Sequence, residues 1–459
     1  MTWLSRSGLG EGPAPAPRLA HLGLGRFFRA HPCWYTQRAP DSAQWAYAAF
    51  TGRASATLAA RLAAQDGLYT LIERGQEADT ALVMRCLATA RPAADHDAWL
   101  RLLARPDLAA VTITVTEAGY LRGPGGGLDF TRPEVQADLA ALRADQFSPV
   151  RTAPGRLVAG LAARRRAGAG PIALVPCDNI PANGALVRRV VRDLAEAAEP
   201  ALAGWIEDSV QVVSSVVDRI TPRPDPGDER AAVAATGWAD RCPVVTEPFA
   251  EWVLSGQFPA GRPDWPGAGA RMTGDLTPYE DRKLWLLNGA HSLLAYAGSA
   301  LGHDTVARAA GDEICRAWVE QWWSAACAHL PQPEAELAGY RAALAARFGN
   351  ARIGDRLGRI AADGSQKLPI RVLPVLRAQR AAGQQPAAAT RILAAWTCHL
   401  RGLGAPVSDV AAAQLVPLAA GPLREAVPAL LRWLDPEIGA DGEVCALVAA
   451  QCAELAGRS

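Results

Sequence analysis

The sequence predicts an α/β N-terminal half followed by an all-α C-terminal half. Three observations carry this. Short apolar strand-like runs alternate with Ala/Arg/Leu-rich helical segments through the first 275 residues, the pattern of a mostly parallel sheet covered on both faces. Beyond that point no strand pattern recurs, and helical stretches run to the C-terminus. A Pro/Gly-rich segment, 259–274, separates the two regimes. A chain of 459 residues is long enough for two or three domains, and the boundary is placed at 275, giving domains 1–275 and 276–459.

In the first half, strands are expected at 19–24, 45–50, 111–116, 172–176 and 210–217. Helices are expected between them at 54–65, 134–144 and 184–199. The second half reads as helices at 278–300, 304–330, 334–348, 368–381, 387–403 and 422–434, punctuated by Pro331, Pro333 and Pro386. The run Arg164–Arg166 reads as a solvated helix end rather than a phosphate patch.

Composition removes several function classes. A net charge of +1 from 47 basic and 46 acidic residues leaves no basic coat for nucleic acid and no acidic tail. No apolar run approaches the roughly 20 residues of a membrane span. The nine cysteines form no CxxC pair and no zinc-spaced cluster with histidine, so they read as buried, reduced thiols. The first 18 residues carry no apolar stretch of signal-peptide length. A cytoplasmic protein is expected, with no nucleic-acid or membrane partner.

The first strand is followed by His21-Leu22-Gly23-Leu24-Gly25-Arg26-Phe27-Phe28. Gly23 and Gly25 would let the backbone approach a pyrophosphate at a helix N-terminus, as in Rossmann-type dinucleotide sites. The third glycine of the usual fingerprint is absent, and two glycines after a strand also make an ordinary turn. After the second strand, an acid would bind the adenosine ribose and favour NAD. Here the chain reads Thr51-Gly52-Arg53-Ala54-Ser55, with no acid between Asp41 and Asp66. Arg53 is either a receptor for a 2′-phosphate or a surface residue beside a turn.

Only two of the 47 basic residues are lysines, Lys283 and Lys367. A desolvated lysine can give up its proton near neutral pH and arginine effectively cannot, so each lysine is a candidate for chemistry. Lys283 heads Lys283-Leu284-Trp285-Leu286-Leu287-Asn288-Gly289-Ala290-His291. At about 100° per residue, Asn288 falls roughly 140° from Lys283, with His291 between them at about 80°. This polar sector on an apolar helix fits either a catalytic cleft or a helix edge with satisfied polar groups.

The KLWLLNGAHS block resembles the mannitol dehydrogenase family, the polyol-specific long-chain dehydrogenases that include mannitol 2-dehydrogenases, arabinitol dehydrogenases and fructuronate reductases (mannonate oxidoreductases). Seven further short blocks resemble the family in order: HLGLGRFFRAH (21–31), AAQDGLYTL (63–71), TVTEAGY (114–120), PCDNIPANG (176–184), VVDRITP (216–222), TEPFAEWV (246–253) and DGSQKLP (363–369). The resemblance implies a Rossmann-type domain that binds NAD, with NADP as the alternative, followed by a helical substrate domain with the site between them. It also implies metal-independent hydride transfer. Carried over by position, it makes Lys283 the general base and Asn179 and Asn288 the stabilisers of the oxyanion. His291 orients the substrate, Gly23, Gly25 and Phe27 lie in the cofactor loop, and Asp218 lies in a block close to the nicotinamide and the substrate. Arg359 and Lys367 become substrate contacts. Three departures stand out: Phe28 where the family often has His, Ala118 where it has Lys, and the missing acid after the second strand.

The implied reaction interconverts a secondary alcohol and a ketone on a sugar acid or polyol, in a monomer or homodimer. The 363–371 stretch looks more like the sugar-acid branch, which sets D-mannonate/D-fructuronate ahead of D-mannitol/D-fructose. Arg371 is read as covering a helix surface. The reading from a different class is a dinucleotide-binding regulator that has lost turnover.

Overall fold

The computed structural model describes residues 2–52 and 56–458. Arg53 therefore lies outside the described residues. The chain forms two compact units, Met1–Leu276 and Thr277–Ser459.

The first unit contains, in order, β1 (Leu19–Leu22), β2 (Tyr47–Phe50), β3 (Tyr69–Arg74), β4 (Asp79–Met84), β5 (Leu87–Arg91) and β6 (Ala110–Ile113). There follow β7 (Ile172–Pro176), β8 (Val210–Val212), β9 (Ser214–Asp218), β10 (Val244–Thr246), β11 (Glu251–Ser255) and β12 (Arg271–Met272). Six of them make one parallel sheet in the order β5-β2-β1-β6-β7-β8. This is the doubly wound Rossmann order, and the winding reverses between β1 and β6.

Successive side chains of a strand leave on opposite faces. From β1, Ala20 and Leu22 join Ala48, Phe50, Val111 and Ile113 in one core, which helices His96–Leu103, Pro133–Ala144, Ala153–Arg166 and Asn183–Ala198 complete. Leu19, Tyr47, Ala49 and Ala110 enter the other, beneath helices Arg26–Ala30, Pro32–Arg38 and Ala56–Ala63. With both faces covered, the strands carry near-continuous apolar runs, interrupted at the centre by the buried His21 and Thr112, and each fully buried Leu, Val or Phe contributes about 1.5–3 kcal/mol.

Three features of the first unit depart from the sequence reading. The 210–217 run is two strands. Val213 N–H still donates to Leu174 O (2.8 Å), but β9 then leaves the parallel sheet and pairs antiparallel with β11. The strands β3, β4, β5, β10, β11 and β12 lie outside the expected ones. β3 and β4 form an antiparallel pair, most of β4 is only half-buried, and charged residues at its turn mask the apolar alternation. Finally, Arg164 is not solvated. It is fully buried, and its guanidinium donates to the carbonyls of Leu103, Arg105, Ala169, Gly170 and Pro171. It closes a helix end and the following turn, while Arg165 and Arg166 are more exposed.

The second unit is helical, with no strand among its described residues. At its centre, helix Ala387–Leu400 is buried at every position from Ile392 to Leu400, as a helix enclosed on all sides must be. Two expected long helices are divided. The 304–330 stretch breaks at Asp312, whose carboxylate caps Ile314 N–H (2.9 Å) and Cys315 N–H (3.0 Å) to start Glu313–Cys327. The 368–381 stretch is Gly364–Arg371 and Leu373–Ala381, broken at Val372 two residues before Pro374. No helix among the described residues is long and apolar enough to cross a membrane.

His21 on β1 gives a test of this arrangement. Its ring stacks on Phe28 (centroids 3.5 Å apart), and its nitrogens contact Thr112 Oγ1 (2.8 Å) and Thr114 Oγ1 (3.0 Å). Burial pushes its pKa down to about 3, whereas an unfolded histidine takes a proton near 6.5. Below about 6.5 the unfolded chain therefore binds the extra proton, and stability is lost as pH falls. His21 should contribute a loss approaching about 1.4 kcal/mol per pH unit over that window. Urea unfolding from about pH 7.5 to 5 checks this. His21→Gln should be less stable than wild type at the upper end yet show a shallower pH slope; an unchanged slope contradicts a neutral buried His21.

Candidate active site

In the first unit, Gly23, Gly25 and Phe27 follow the carboxyl end of β1, Asn179 follows β7, and Asp218 ends β9, outside the parallel sheet. Gly23 follows β1 with φ of +110°, and a Cβ there would stand 1.9 Å from Thr114 O at the end of β6. Only glycine permits this approach. Thr114 Oγ1 also donates to Gly23 O (2.9 Å), so β6 holds the turn. Gly25 is the N-cap of Arg26–Ala30 and, as a glycine, provides no side-chain cap. Phe27 is half-buried and stacks on His31 at 5.0 Å.

After β7, the loop carrying Asn179 is pinned from both sides. Asp178 accepts from Val115 N–H (2.5 Å) and from the Tyr120 hydroxyl. Its burial raises the carboxyl pKa to about 7. Asn183 is fully buried. Its amide donates to Asp178 O (3.0 Å) and Ser215 O (2.8 Å), and its oxygen accepts Ser215 N–H (3.0 Å). Gly184 allows the close approach, since a Cβ would lie 2.1 Å from Ser214 Oγ. Between these anchors Asn179 is exposed. Asp218, at the end of β9, is buried opposite Glu251. The adjoining Arg219 is buried too, donating to Ala30 O (2.6 Å) and Glu247 O (3.0 Å) and pairing with Glu73.

In the second unit, the expected α-helix at 278–300 is Thr277–Arg282, a π-helix Lys283–Gly289, a short α-helical stretch Ala290–Leu293 and a second π-helix Leu294–Gly298. This corrects the angular reading. A helix bonded i→i+5 takes about 4.4 residues per turn, so residues five apart fall roughly 50° from each other. Lys283 and Asn288 therefore share one side instead of standing some 140° apart. Both are buried, and His291 is half-buried against Phe348 (4.8 Å between centroids).

The cause of the widened turn lies on helix Glu313–Cys327. Trp322 Nε1 donates to Trp285 O (2.7 Å) and Trp323 Nε1 to Leu286 O (2.8 Å). Donors reaching into the carbonyl ladder favour such a departure from α geometry. Gly289 admits Trp322, whose ring would lie 2.7 Å from a Cβ there. The signals in the sequence were Gly289 and the Trp322-Trp323 pair, which local periodicity does not connect.

Lys367 and Arg359 are placed differently. Lys367 is half-buried and its Nζ donates to Ile360 O (3.1 Å) and Ala362 O. Arg359 is exposed and paired with Asp355 (2.5 Å). Sequence reading set Arg371 aside as surface cover. It is half-buried instead, with Nη1 3.4 Å from Asn288 O and 3.2 Å from Ser292 Oγ.

The fold and these residues define a class: a doubly wound α/β domain followed by a helical domain carrying a buried lysine. Residues 17–267 match the mannitol dehydrogenase Rossmann domain and residues 275–424 the mannitol dehydrogenase C-terminal domain. D-arabinitol 4-dehydrogenase of Ralstonia nicotianae is 38% identical over 402 residues, covering 85% of this chain and 84% of that protein. D-mannonate oxidoreductase of Escherichia coli is 35% identical over 369 residues, covering 78% and 75%. The solved Pseudomonas fluorescens mannitol 2-dehydrogenase, a ternary complex with NAD and D-mannitol, matches at a TM-score of 0.81 and 30% identity over 99% of this chain and 97% of that one. The chain belongs to the mannitol dehydrogenase family and is one of its oxidoreductases.

The loop network yields a stability test. Asn183→Ala leaves the buried Ser215 N–H without its acceptor and should cost about 1–3 kcal/mol. Denaturant unfolding followed by a probe in the first unit measures it. A loss below about 0.5 kcal/mol, the range of ordinary surface changes, contradicts the anchoring role.

Proposed function

We propose that this chain is an NAD-dependent dehydrogenase interconverting a secondary alcohol and a ketone on a sugar acid or polyol, with D-mannonate/D-fructuronate ahead of D-mannitol/D-fructose. The observation that carries the reading is the π-helix that sets the buried Lys283 and Asn288 on one side. Its surroundings agree: one of only two lysines in the chain is held where few charged side chains are found.

In this reading the first unit takes the dinucleotide and the second supplies the base. The fit to the cofactor rests on Gly23, on the switch point between β1 and β6 and on the helix that opens after Gly25, where a pyrophosphate is suited by a helix N-terminus. Phe27 and Asp218 are assigned to the cofactor side. NAD, when bound, supplies the hydride acceptor. Lys283 removes the hydroxyl proton from the alcohol and returns it in the reducing direction. The amides of Asn179 and Asn288 donate to the oxygen as it gains charge, without adding a charge of their own. His291 orients the substrate, and Arg359 and Lys367 hold its far end. The free state of all nine thiols fits a reducing, cytoplasmic compartment.

Lys283→Met tests the base. Reduction of D-fructuronate and D-fructose and oxidation of the matching alcohols are followed by NADH absorbance. The variant should bind NADH like wild type and lose about 10²–10⁴ in kcat; a variant that keeps most of its activity at neutral pH removes Lys283 from the mechanism.

The missing acid after β2 sets the cofactor expectation. NAD is preferred, but discrimination against NADP should be weak, and Arg53→Ala should raise KM for NADP more than for NAD. A strong NAD preference unchanged by Arg53→Ala would place the ribose contact elsewhere.

A further inference from the structure

Helix Gly364–Arg371 carries two cations on one face. Lys367 and Arg371 are four residues apart, a spacing at which side chains are neighbours and like charges repel. Each is half-buried, and each is met only by neutral groups. Lys367 donates to the carbonyls of Ile360 and Ala362, and Arg371 to Asn288 O and Ser292 Oγ. Among the described residues neither forms an ion pair. The nearby acids have other work. Asp363 accepts Val410 N–H (3.2 Å). Asp409 accepts Ser365 N–H (2.9 Å), Ser365 Oγ–H (2.5 Å) and Ala411 N–H (2.9 Å). Asp355 holds Arg359.

The arrangement is electrostatically incomplete. Charges taken out of water are normally paired; here the carboxylates of Asp363 and Asp409 act on Lys367 only from a distance, and burial with the repulsion from Arg371 outweighs them. Burial, then repulsion from Arg371, pushes Lys367 down to about 8, and burial pushes Arg371 down to about 10. The buried Nε of Arg371 also lacks an acceptor. An anion bound at this face would supply the counter-charge that both cations lack. A carboxylate suits it best, since its two oxygens match the planar guanidinium fork. Through Asn288 O, Arg371 also touches the main chain of a residue assigned to the reacting oxygen.

We propose that Arg371, together with Lys367, forms a carboxylate subsite that selects a sugar acid over a neutral polyol. This rests on the dehydrogenase reading above and adds to it the residue that decides the substrate class. The substrate's reacting carbon lies at the Lys283–Asn288 end and its acid group at Arg371.

The test combines binding and turnover. Binding of D-mannonate and D-mannitol is measured calorimetrically on the full chain with NADH present, and kcat/KM is measured for D-fructuronate and D-fructose. Wild type should prefer the acid of each pair by at least about tenfold. Arg371→Gln should lower affinity and kcat/KM for the acids about 10–100-fold and change the neutral pair less than about threefold. Arg371→Lys should recover part of the loss. Retained turnover of the neutral pair shows that Arg371→Gln is folded; if it is not, Arg371→Lys serves in its place, with a smaller loss on the acids and the neutral pair again changed less than about threefold. Equal losses on both pairs, or no acid preference in wild type, overturn the subsite while leaving the dehydrogenase reading standing. Acid-selective binding without turnover of either pair overturns the dehydrogenase reading and leaves the subsite.

Discussion

The widened turn at Lys283–Gly289 depends on two indole N–H groups. A seven-residue π-helix is a poor choice for an isolated segment. Here Trp322 and Trp323 meet two of its carbonyls, and Gly289 leaves room for the Trp322 ring. Further along, Ser292 Oγ (3.1 Å) and Arg371 Nη1 reach the same acceptor, Asn288 O. The helix thus gains bonds from its neighbours. The return is positional, because a lysine and an amide that α geometry would splay apart are aligned on one side.

The first unit solves a related problem with buried polar side chains. Its loops end at strand tips where backbone groups would otherwise be orphaned. Asp178 and Asn183 hold the loop after β7, Thr114 holds the glycine turn after β1, Arg164 closes a helix end and Arg219 ties the helix at Ala30 to Glu247. Each such group has lost water and is matched by hydrogen bonds, so removing one partner exposes the full desolvation cost of the other. That cost makes the loop positions well defined.

Lys367 and Arg371 differ from these groups in being two cations four residues apart on one helix, each meeting only neutral acceptors. Among the other buried cations of the described residues, Arg164 meets five carbonyls and Arg219 has Glu73, while Arg29 donates to the carbonyls of Gly25 and Cys242 alone. Two same-sign groups facing neutral acceptors on one helix face are a departure with an electrostatic cost, and such departures concentrate where a ligand completes the set.

Much of this was legible in the residues. Apolar runs with helices between them specify a parallel sheet, because burying both faces removes polar alternation. Glycines after β1, the scarcity of lysine and the ordered family blocks pointed to the candidate residues before any coordinates. What tertiary structure decided was of another kind. The division of 210–217 between two sheets depends on β11, the burial of Arg164 on carbonyls some sixty residues away in sequence as well as adjacent ones, and the π-turn on two tryptophans thirty-seven residues downstream. Local periodicity records which face of a segment prefers apolar surroundings. It does not record which distant donor will meet a given carbonyl, and that hydrogen bonding set the register of Lys283 on Asn288 and drew Arg371 inward.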